Sequence, residues 1–255
     1  MRIPIIAGNW KMFKTAAETR AFVKAFRPLV EPLKDRAVVL CAPYTALWVL
    51  ADELKGSAIA VGAQNAHWED KGAYTGEISV GMLKEIGVRY VVVGHSERRQ
   101  YFGETDETVN KRTLAVMAAG LTSITCIGET LQEREANQTF KVLERQMKGG
   151  LKGISAPASV VIAYEPVWAI GTGKTATPAQ AQEAHDFIRK EFAKLYGDAS
   201  AQRVRILYGG SVKPDNMAVL MKEKDIDGGL VGGASLDAGS FAKIVLFDKS
   251  AVTTK

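Results

Sequence analysis

Eight short apolar segments alternate with amphipathic segments along this chain, at a spacing of about 30 residues. The apolar segments have the length of strands, which are predicted at Ile3–Ala7, Ala37–Ala42, Ala58–Ala63, Tyr90–Val93, Leu121–Ile127, Val160–Tyr164, Val204–Tyr208 and Gly229–Val231. The segments between them carry helical spacing of apolar residues, and helices are predicted over 15–33, 44–54, 78–86, 105–119, 131–147, 178–196, 215–221 and 238–247. Thr15, followed by Glu18, predicts a capping box at the start of the first helix.

This alternation constrains the fold class more than any other feature. Strands that alternate with helices form parallel sheets, because the helices serve as the crossover connections. The predicted strands are apolar on both faces, as expected where helices cover one face and a packed centre covers the other. Eight such units favour an α/β fold of the (β/α)8 barrel type, with a doubly wound open sheet as the alternative. No Pro- or Ser-rich linker divides the chain, so a single domain over residues 1–255 is expected.

Charge and cysteine content restrict the partners and the compartment. The net charge is +5 with Lys and Arg spread along the chain, which favours anionic partners but gives no basic stripe for nucleic acid. Cys41 and Cys126 lie far apart in apolar runs, which predicts two reduced, buried cysteines. Neither a signal peptide nor an apolar run of about 20 residues is present, so we expect a cytoplasmic protein without a membrane partner.

Polar residues of the kinds used in catalysis follow five of the predicted strands. They are Asn9 and Lys11 after the first, His95, Ser96 and Glu97 after the fourth, Glu165 after the sixth, Gly209–Gly210–Ser211 after the seventh and Gly232–Gly233 after the eighth. In a parallel barrel these carboxyl ends open on one face, where the active sites of such barrels lie. Glycine-rich turns after the last two strands predict a phosphate site made by backbone N–H groups and a helix N-terminus.

The stretch from Ala163 to Thr175 predicts a reacting carboxylate beside a closing loop. The sixth strand ends at Glu165, and Pro166 keeps its backbone extended at the strand tip. An apolar segment and two glycines follow, which is typical of a lid over residues 166–174. A surface loop with a solvated Glu165 is the alternative for this stretch alone. The three histidines show no metal-ligand spacing, so no metal is expected.

Motif blocks from the first strand to the last resemble the triosephosphate isomerase family. The blocks are Gly8–Met12, Gly76–Ser79, Val93–Arg99, Cys126–Glu129, Ala163–Lys174, Tyr208–Val212 and Leu230–Leu236. Phe13 departs from the Asn that often follows the first block, which bears only on packing at the start of the first helix. The resemblance implies an aldose–ketose isomerase that interconverts dihydroxyacetone phosphate and D-glyceraldehyde 3-phosphate through an enediolate, without a cofactor.

The same resemblance implies a role for each polar residue of the predicted site. Glu165 matches the general base, and His95 matches the electrophile, a neutral imidazole whose pKa is lowered by a helix N-terminus. Lys11 matches the cation that balances the charge of the phosphate and of the enediolate. Asn9 matches a hydrogen-bond donor beside Lys11, and Glu97 matches a supporting residue near the same lysine.

The resemblance also implies a phosphate cradle and a partner subunit. The residues that match the cradle are Gly171, Ser211, Gly232 and Gly233. The long polar loop over residues 64–77 matches an arm that enters a neighbouring subunit, with Thr75 near its tip, so a homodimer is expected. Two other functions stay open: a barrel enzyme for a larger sugar phosphate, and a barrel used for binding, although the second would not need Glu165, His95 and Lys11 together.

Overall fold

The computed structural model describes residues 2–171 and 174–249. In these residues eight parallel strands follow one another around a closed barrel, and β8 pairs with β1 to complete it. The strands are β1 (Ile5–Asn9), β2 (Ala37–Ala42), β3 (Ala60–Ala63), β4 (Tyr90–Val93), β5 (Thr122–Ile127), β6 (Val160–Tyr164), β7 (Arg205–Tyr208) and β8 (Gly228–Val231). The predicted (β/α)8 barrel is confirmed, and the doubly wound alternative is wrong because an open sheet leaves its outer strands unpaired.

Helices connect successive strands around the outside of the barrel. In the described ranges they are α1 (Ala16–Val30), α2 (Tyr44–Glu53), α3 (Val80–Glu85), α4 (Ser96–Tyr101), α5 (Asp106–Ala118), α6 (Leu131–Glu135), α7 (Thr139–Gly150), α8 (Pro178–Tyr196), α9 (Asp198–Ala201), α10 (Met217–Leu220) and α11 (Ala238–Val245). Thr15 and Glu18 form the predicted capping box of α1. Within residues 2–171 and 174–249, no helix is both long and apolar enough to cross a membrane.

The structure corrects one helix prediction and adds two short helices that were not predicted. The helix predicted over 131–147 is interrupted, because Asn137 adopts a φ of 56° and ends the turn that follows α6. Asparagine tolerates this left-handed conformation better than most residues. The structure also contains α4, which begins at Ser96 directly after the β4 turn, and α9 between α8 and β7, and neither was predicted.

The strands bury apolar side chains on both faces. Ile5 and Ala7 of β1 belong to an inner cluster with residues of the other strands, such as Val39 and Leu207. Ile6 between them packs in the outer cluster that includes helix residues such as Phe26. This alternation places one core inside the barrel and another beneath the helices. Cys41 and Cys126 are free and buried, as predicted.

The long loop between β3 and α3 has internal order. The ring of His67 stacks on Trp68 at a centroid distance of 4.3 Å and lies 4.6 Å from the ring of Tyr74. The backbone N–H of His67 also donates to the carbonyl of Ile78 at 2.8 Å. These contacts hold the base of the loop, and Thr75 lies exposed at its tip.

Candidate active site

A cavity of about 470 Å³ opens at the carboxyl ends of the strands. It gathers eight of the residues predicted from the sequence: Asn9, Lys11, His95, Glu165, Gly171, Ser211, Gly232 and Gly233. Glu97 lines a neighbouring cavity of about 270 Å³ that also reaches Asn9, Lys11 and His95. Thr75 lines neither cavity in this chain. Residues scattered through the sequence are therefore brought together because parallel strands point their carboxyl ends to one face.

Glu165 is fixed at the end of β6 by its backbone and by two side-chain contacts. Its N–H donates to the carbonyl of Ile127 at 2.8 Å, which continues the pairing with β5. Its Oε2 accepts from the N–H of Ser96 at 2.9 Å, and its Oε1 lies 2.9 Å from Nε2 of His95. Burial raises the pKa of Glu165, but the His95 imidazole and the Ser96 N–H outweigh it, so the pKa is lowered. This buried side chain, 2% exposed, is therefore an ionised carboxylate, and the solvated alternative is wrong.

His95 caps the first turn of α4 and faces Glu165 with its other nitrogen. Nδ1 accepts from the N–H of Glu97 at 3.2 Å, so the proton of the neutral ring resides on Nε2, which donates to Glu165. Burial lowers the pKa of His95, but the adjacent carboxylate of Glu165 raises it by more, and the net shift is upward. The raised pKa of His95 differs from the lowered pKa that the resemblance implies, because the Glu165 carboxylate contacts Nε2 of His95 in this structure.

Lys11 brings a cation to the cavity from the turn after β1. Its backbone adopts a φ of 52°, an uncommon conformation for a residue with a side chain. Its Nζ forms an ion pair with Glu97. A β-carbon placed on Gly232 would lie 3.9 Å from this Nζ, so the ammonium group lies beside the turn that follows β8.

Asn9 is oriented by its neighbours at the end of β1. Its Oδ1 accepts from the N–H of Lys11 at 3.1 Å and from Nε2 of Gln64 at 3.2 Å. The same Gln64 nitrogen lies 2.9 Å from the carbonyl of Lys11. Gln64 was missed in the sequence, although its place directly after β3 is the signal that identified the other residues.

The glycine turns after β7 and β8 present backbone to the cavity. After β8, the N–H groups of Ser235 and Leu236 donate to the carbonyls of Gly232 and Gly233, at 2.8 and 3.1 Å, and form a short 3₁₀ turn. After β7, the turn is held by Nδ2 of Asn216, which donates to the carbonyl of Ser211 at 3.0 Å. After β8, the predicted helix N-terminus is only a single 3₁₀ turn. After β7, the next helix does not adjoin the glycines, because α10 begins only at Met217.

The segment after Glu165 rests on Glu129, a fully buried carboxylate. Oε1 of Glu129 accepts from Nε1 of Trp168 at 2.9 Å and from the hydroxyl of Tyr164 at 3.2 Å. The Arg134 guanidinium lies 3.1 Å from the same oxygen and balances its charge. The predicted lid spans 166–174, and its residues Thr172 and Gly173 lie outside the described residues.

In the two described ranges, no group of three or more His, Cys, Asp or Glu side chains is arranged to hold a metal ion.

The fold and the site define a (β/α)8 barrel enzyme that pairs a buried carboxylate with an imidazole beside a cation and glycine turns. A family model described as triosephosphate isomerase matches residues 4–247. The chain therefore belongs to the triosephosphate isomerase family. Its reaction is the interconversion of dihydroxyacetone phosphate and D-glyceraldehyde 3-phosphate, an intramolecular aldose–ketose isomerisation of glycolysis and gluconeogenesis.

Individual relatives agree over the full length of the chain. Triosephosphate isomerase of Endomicrobium trichonymphae is 58% identical over 98% of this chain and 100% of the relative. The enzyme of Moorella thermoacetica is also 58% identical, with the same coverage of both chains. The crystal structure of triosephosphate isomerase from Bartonella henselae superposes with a TM-score of 0.90 at 40% identity, covering 97% of this chain and 100% of that one.

Proposed function

We propose that Glu165 is the base that moves the proton between the two substrate carbons. Its carboxylate removes a proton from the carbon next to the carbonyl, and the electrons of that C–H bond form the enediolate. The same carboxyl group then returns a proton to the neighbouring carbon, which restores a carbonyl at the other position. Burial supports this role, because a carboxylate held with little water in a fixed position is a more effective base toward a weak carbon acid.

His95 and Lys11 stabilise the charge that this step creates. The Nε2–H of His95 donates to the substrate oxygen on which negative charge develops, taking its hydrogen bond there in place of Glu165. Lys11 supplies a positive charge on the same side of the cavity, and Glu97 supports it by holding the ammonium group. The side-chain oxygen of Asn9 accepts two hydrogen bonds from the protein, one from the N–H of Lys11 and one from Nε2 of Gln64. The NH2 group of Asn9 is therefore left to donate to substrate.

The phosphate binds at the backbone N–H groups of Gly171, Ser211, Gly232 and Gly233. Glycine turns suit this role because the backbone can approach an anion closely where no side chain intervenes. The nearby Lys11 ammonium balances the phosphate charge without blocking the turns. No cofactor is required, since every step moves a proton or stabilises charge with groups of this chain.

The observation that carries the assignment is the 2.9 Å contact between Oε1 of Glu165 and Nε2 of His95. At this separation, Glu165 can remove a proton from one carbon while His95 donates a hydrogen bond to the oxygen attached to the neighbouring carbonyl carbon. The test is a coupled assay of glyceraldehyde 3-phosphate conversion with wild type, Glu165→Ala and His95→Ala, and with Glu183→Ala as an exposed control on α8. We expect each site variant to lose at least about 100-fold in kcat, since loss of a general base or of one donor to the developing oxyanion costs this much. Site variants that match the Glu183→Ala control would overturn the assignment.

We also propose that the chain acts as a homodimer in which Thr75 of one subunit enters the second cavity of the other. Three observations support this: the cavity of about 270 Å³ reaches Asn9 and Lys11, Met12 beside it is 93% exposed, and Phe102 on its rim is 67% exposed. Apolar side chains exposed around a cavity are typical of surfaces that bind another protein.

The dimer is tested by placing a charge at the loop tip. Thr75→Arg should shift the protein to monomers in analytical ultracentrifugation and reduce kcat. Gln202→Arg adds the same charge at an exposed position just before β7, on the opposite end of the barrel, and should leave both unchanged. A wild-type monomer that is fully active at nanomolar concentration would contradict the dimer.

We propose further that residues 1–255 form a single domain that works in the cytoplasm. The compartment is supported by two free, buried cysteines, which are typical of a reducing environment. Cell fractionation with an antibody against the chain tests it, and a signal confined to a membrane or secreted fraction would contradict it.

A further inference from the structure

Lys14 lies outside the catalytic cavity and has an uncommon backbone conformation. Its φ is 76°, a left-handed value that a side chain disfavours, only three residues after Lys11. Its Nζ donates to the carbonyl of Leu236 at 2.8 Å, and so joins the turn after β1 to the turn after β8. Strained backbone of this kind persists where the surrounding contacts hold it.

Aromatic rings and carboxylates hold the ammonium group of Lys14 from other sides. Its Nζ lies 4.7 Å from the ring centroid of Phe22 and 5.4 Å from that of Trp10. Burial lowers the pKa of Lys14, while Glu18 and Asp237 act in the opposite direction. The cation is therefore placed between α1 and the start of α11, with its hydrogen bond aimed at one carbonyl.

The carbonyl that Lys14 holds ends the turn assigned to phosphate. Leu236 is tied back to Gly233 through its own N–H, and the hydroxyl of Ser235 donates to the carbonyl of Gly232 at 2.7 Å. Hydrogen bonds within the turn of residues 232–236 therefore fix its shape. Lys14 connects this turn to the segment that carries Lys11. Through this link the position of the Gly232 and Gly233 amides depends on the same segment that places the catalytic cation.

We propose that Lys14 is a positioning residue for phosphate binding. Its ammonium fixes the turn of residues 232–236 relative to Lys11, so that backbone N–H groups and cation meet the phosphate together. The proposal rests on the assignment of the phosphate to Gly232 and Gly233. It concerns the phosphate end of the substrate, and leaves the proton-transfer groups Glu165 and His95 untouched.

The expected effect is selective for phosphate. Lys14→Met keeps the length of the side chain but removes the charged hydrogen bond, and should raise both the KM for glyceraldehyde 3-phosphate and the inhibition constant of inorganic phosphate about tenfold. D-Glyceraldehyde has the same carbon skeleton without phosphate, and its kcat/KM should stay at the wild-type value. Lys14→Arg, which can reach the same carbonyl with a charged donor, should restore much of the loss.

The experiment measures steady-state kinetics with glyceraldehyde 3-phosphate, competitive inhibition by inorganic phosphate, and hydrogen exchange of D-glyceraldehyde followed by NMR. Lys243→Met, which removes an exposed lysine from α11, is the control for loss of one positive charge. If wild type is not inhibited competitively by phosphate, the phosphate assignment itself is wrong. If wild type is inhibited and Lys14→Met is inhibited equally, the assignment stands and the role of Lys14 is overturned. Equal loss on both substrates, as from a general folding defect, also overturns it.

Discussion

The carboxylate of Glu165 and the imidazole of His95 lie 2.9 Å apart at the ends of β6 and β4, and each shifts the pKa of the other. The pKa of the buried Glu165 is lowered and that of the buried His95 is raised, because each charge is stabilised by its neighbour against the cost of burial. The N–H of Ser96 fixes the second carboxylate oxygen and the N–H of Glu97 fixes the second ring nitrogen. The carboxylate that we propose as the base and the imidazole that we propose as the electrophile are therefore held in one arrangement by a single turn of backbone.

Shortening the base by one methylene should slow the reaction without unfolding the protein. Glu165→Asp withdraws the carboxylate by more than about 1 Å, and a displacement of this size can cost about 100-fold in rate. We expect kcat to fall by at least that factor, with KM changed little because the phosphate contacts remain. Steady-state kinetics and thermal unfolding check this together, and a variant with unchanged kcat would remove Glu165 as the base.

A β-carbon at position 128 should displace the carboxylate of Glu165 by pushing on the backbone of Glu165. A β-carbon built on Gly128 lies 1.7 Å from the carbonyl oxygen of Glu165, far inside van der Waals contact. Gly128→Ala should therefore destabilise the fold by about 3 kcal/mol and lower kcat. Gly81→Ala in α3 is the control, because its nearest atom is 3.7 Å away and a helical alanine adds up to about 1 kcal/mol. Equal unfolding midpoints for the two variants in urea would contradict the predicted clash.

Removing the carboxylate of Glu129 should destabilise the segment that follows Glu165. In Glu129→Leu, Trp168 and Tyr164 lose this acceptor, and Arg134 loses its ion-pair partner. We expect a loss of about 3 kcal/mol in the free energy of unfolding, since one buried donor, one half-buried donor and the ion pair with Arg134 are affected. Glu135→Leu, an exposed position on α6, should change it by less than about 0.5 kcal/mol. Comparable urea denaturation curves for both variants would show that Glu129 has no such role.

His185 should make the fold sensitive to acid. Burial lowers its pKa from 6.5 to about 4, and its Nδ1 lies 3.1 Å from the carbonyl of Asp225, to which the neutral ring donates. As the pH falls below 6.5, His185 binds a proton in the unfolded chain, whereas in the folded chain it stays neutral until about pH 4. This contribution to stability is complete above pH 6.5 and is lost toward pH 4, at about 1.4 kcal/mol per pH unit.

The comparison with His185→Gln isolates this contribution. Both proteins lose stability in acid through their carboxylates, but the wild type should lose more between pH 6.5 and 4, so the difference between them should shrink. Urea denaturation at a series of pH values measures that difference. A constant difference across this range would show that the histidine does not couple folding to protonation.

The architecture was predictable because the strand–helix alternation is a local signal repeated along the chain. Closure between β1 and β8 followed from the number of repeats, and the common direction of the parallel strands placed Lys11, His95 and Glu165 on one face. The interruption at Asn137 was missed, although only Ala136 is apolar between Leu131 and Phe140 and asparagine tolerates the left-handed conformation that the backbone adopts there.

Other parts of the site depend on contacts that the sequence does not encode locally. The link from Lys14 to Leu236 joins residues at opposite ends of the chain, so neither residue draws attention in its own segment. The upward shift in the pKa of His95 depends on the rotamer of Glu165, which no motif specifies. Gln64 could have been predicted from the sequence, because it directly follows β3, just as the other polar site residues follow their strands.

The central claim, that Glu165 carries the proton between two carbons, is tested most directly by running the reaction in D2O. The substrate is unlabelled dihydroxyacetone phosphate, and the product is examined by proton NMR. Because the carboxyl proton can exchange with solvent during the enediolate stage, we predict deuterium at C2 of glyceraldehyde 3-phosphate with wild type, and loss of this labelled product with Glu165→Gln. Product formed by Glu165→Gln at the wild-type rate, with or without deuterium, would contradict the mechanism, because the proton would then move without this carboxylate.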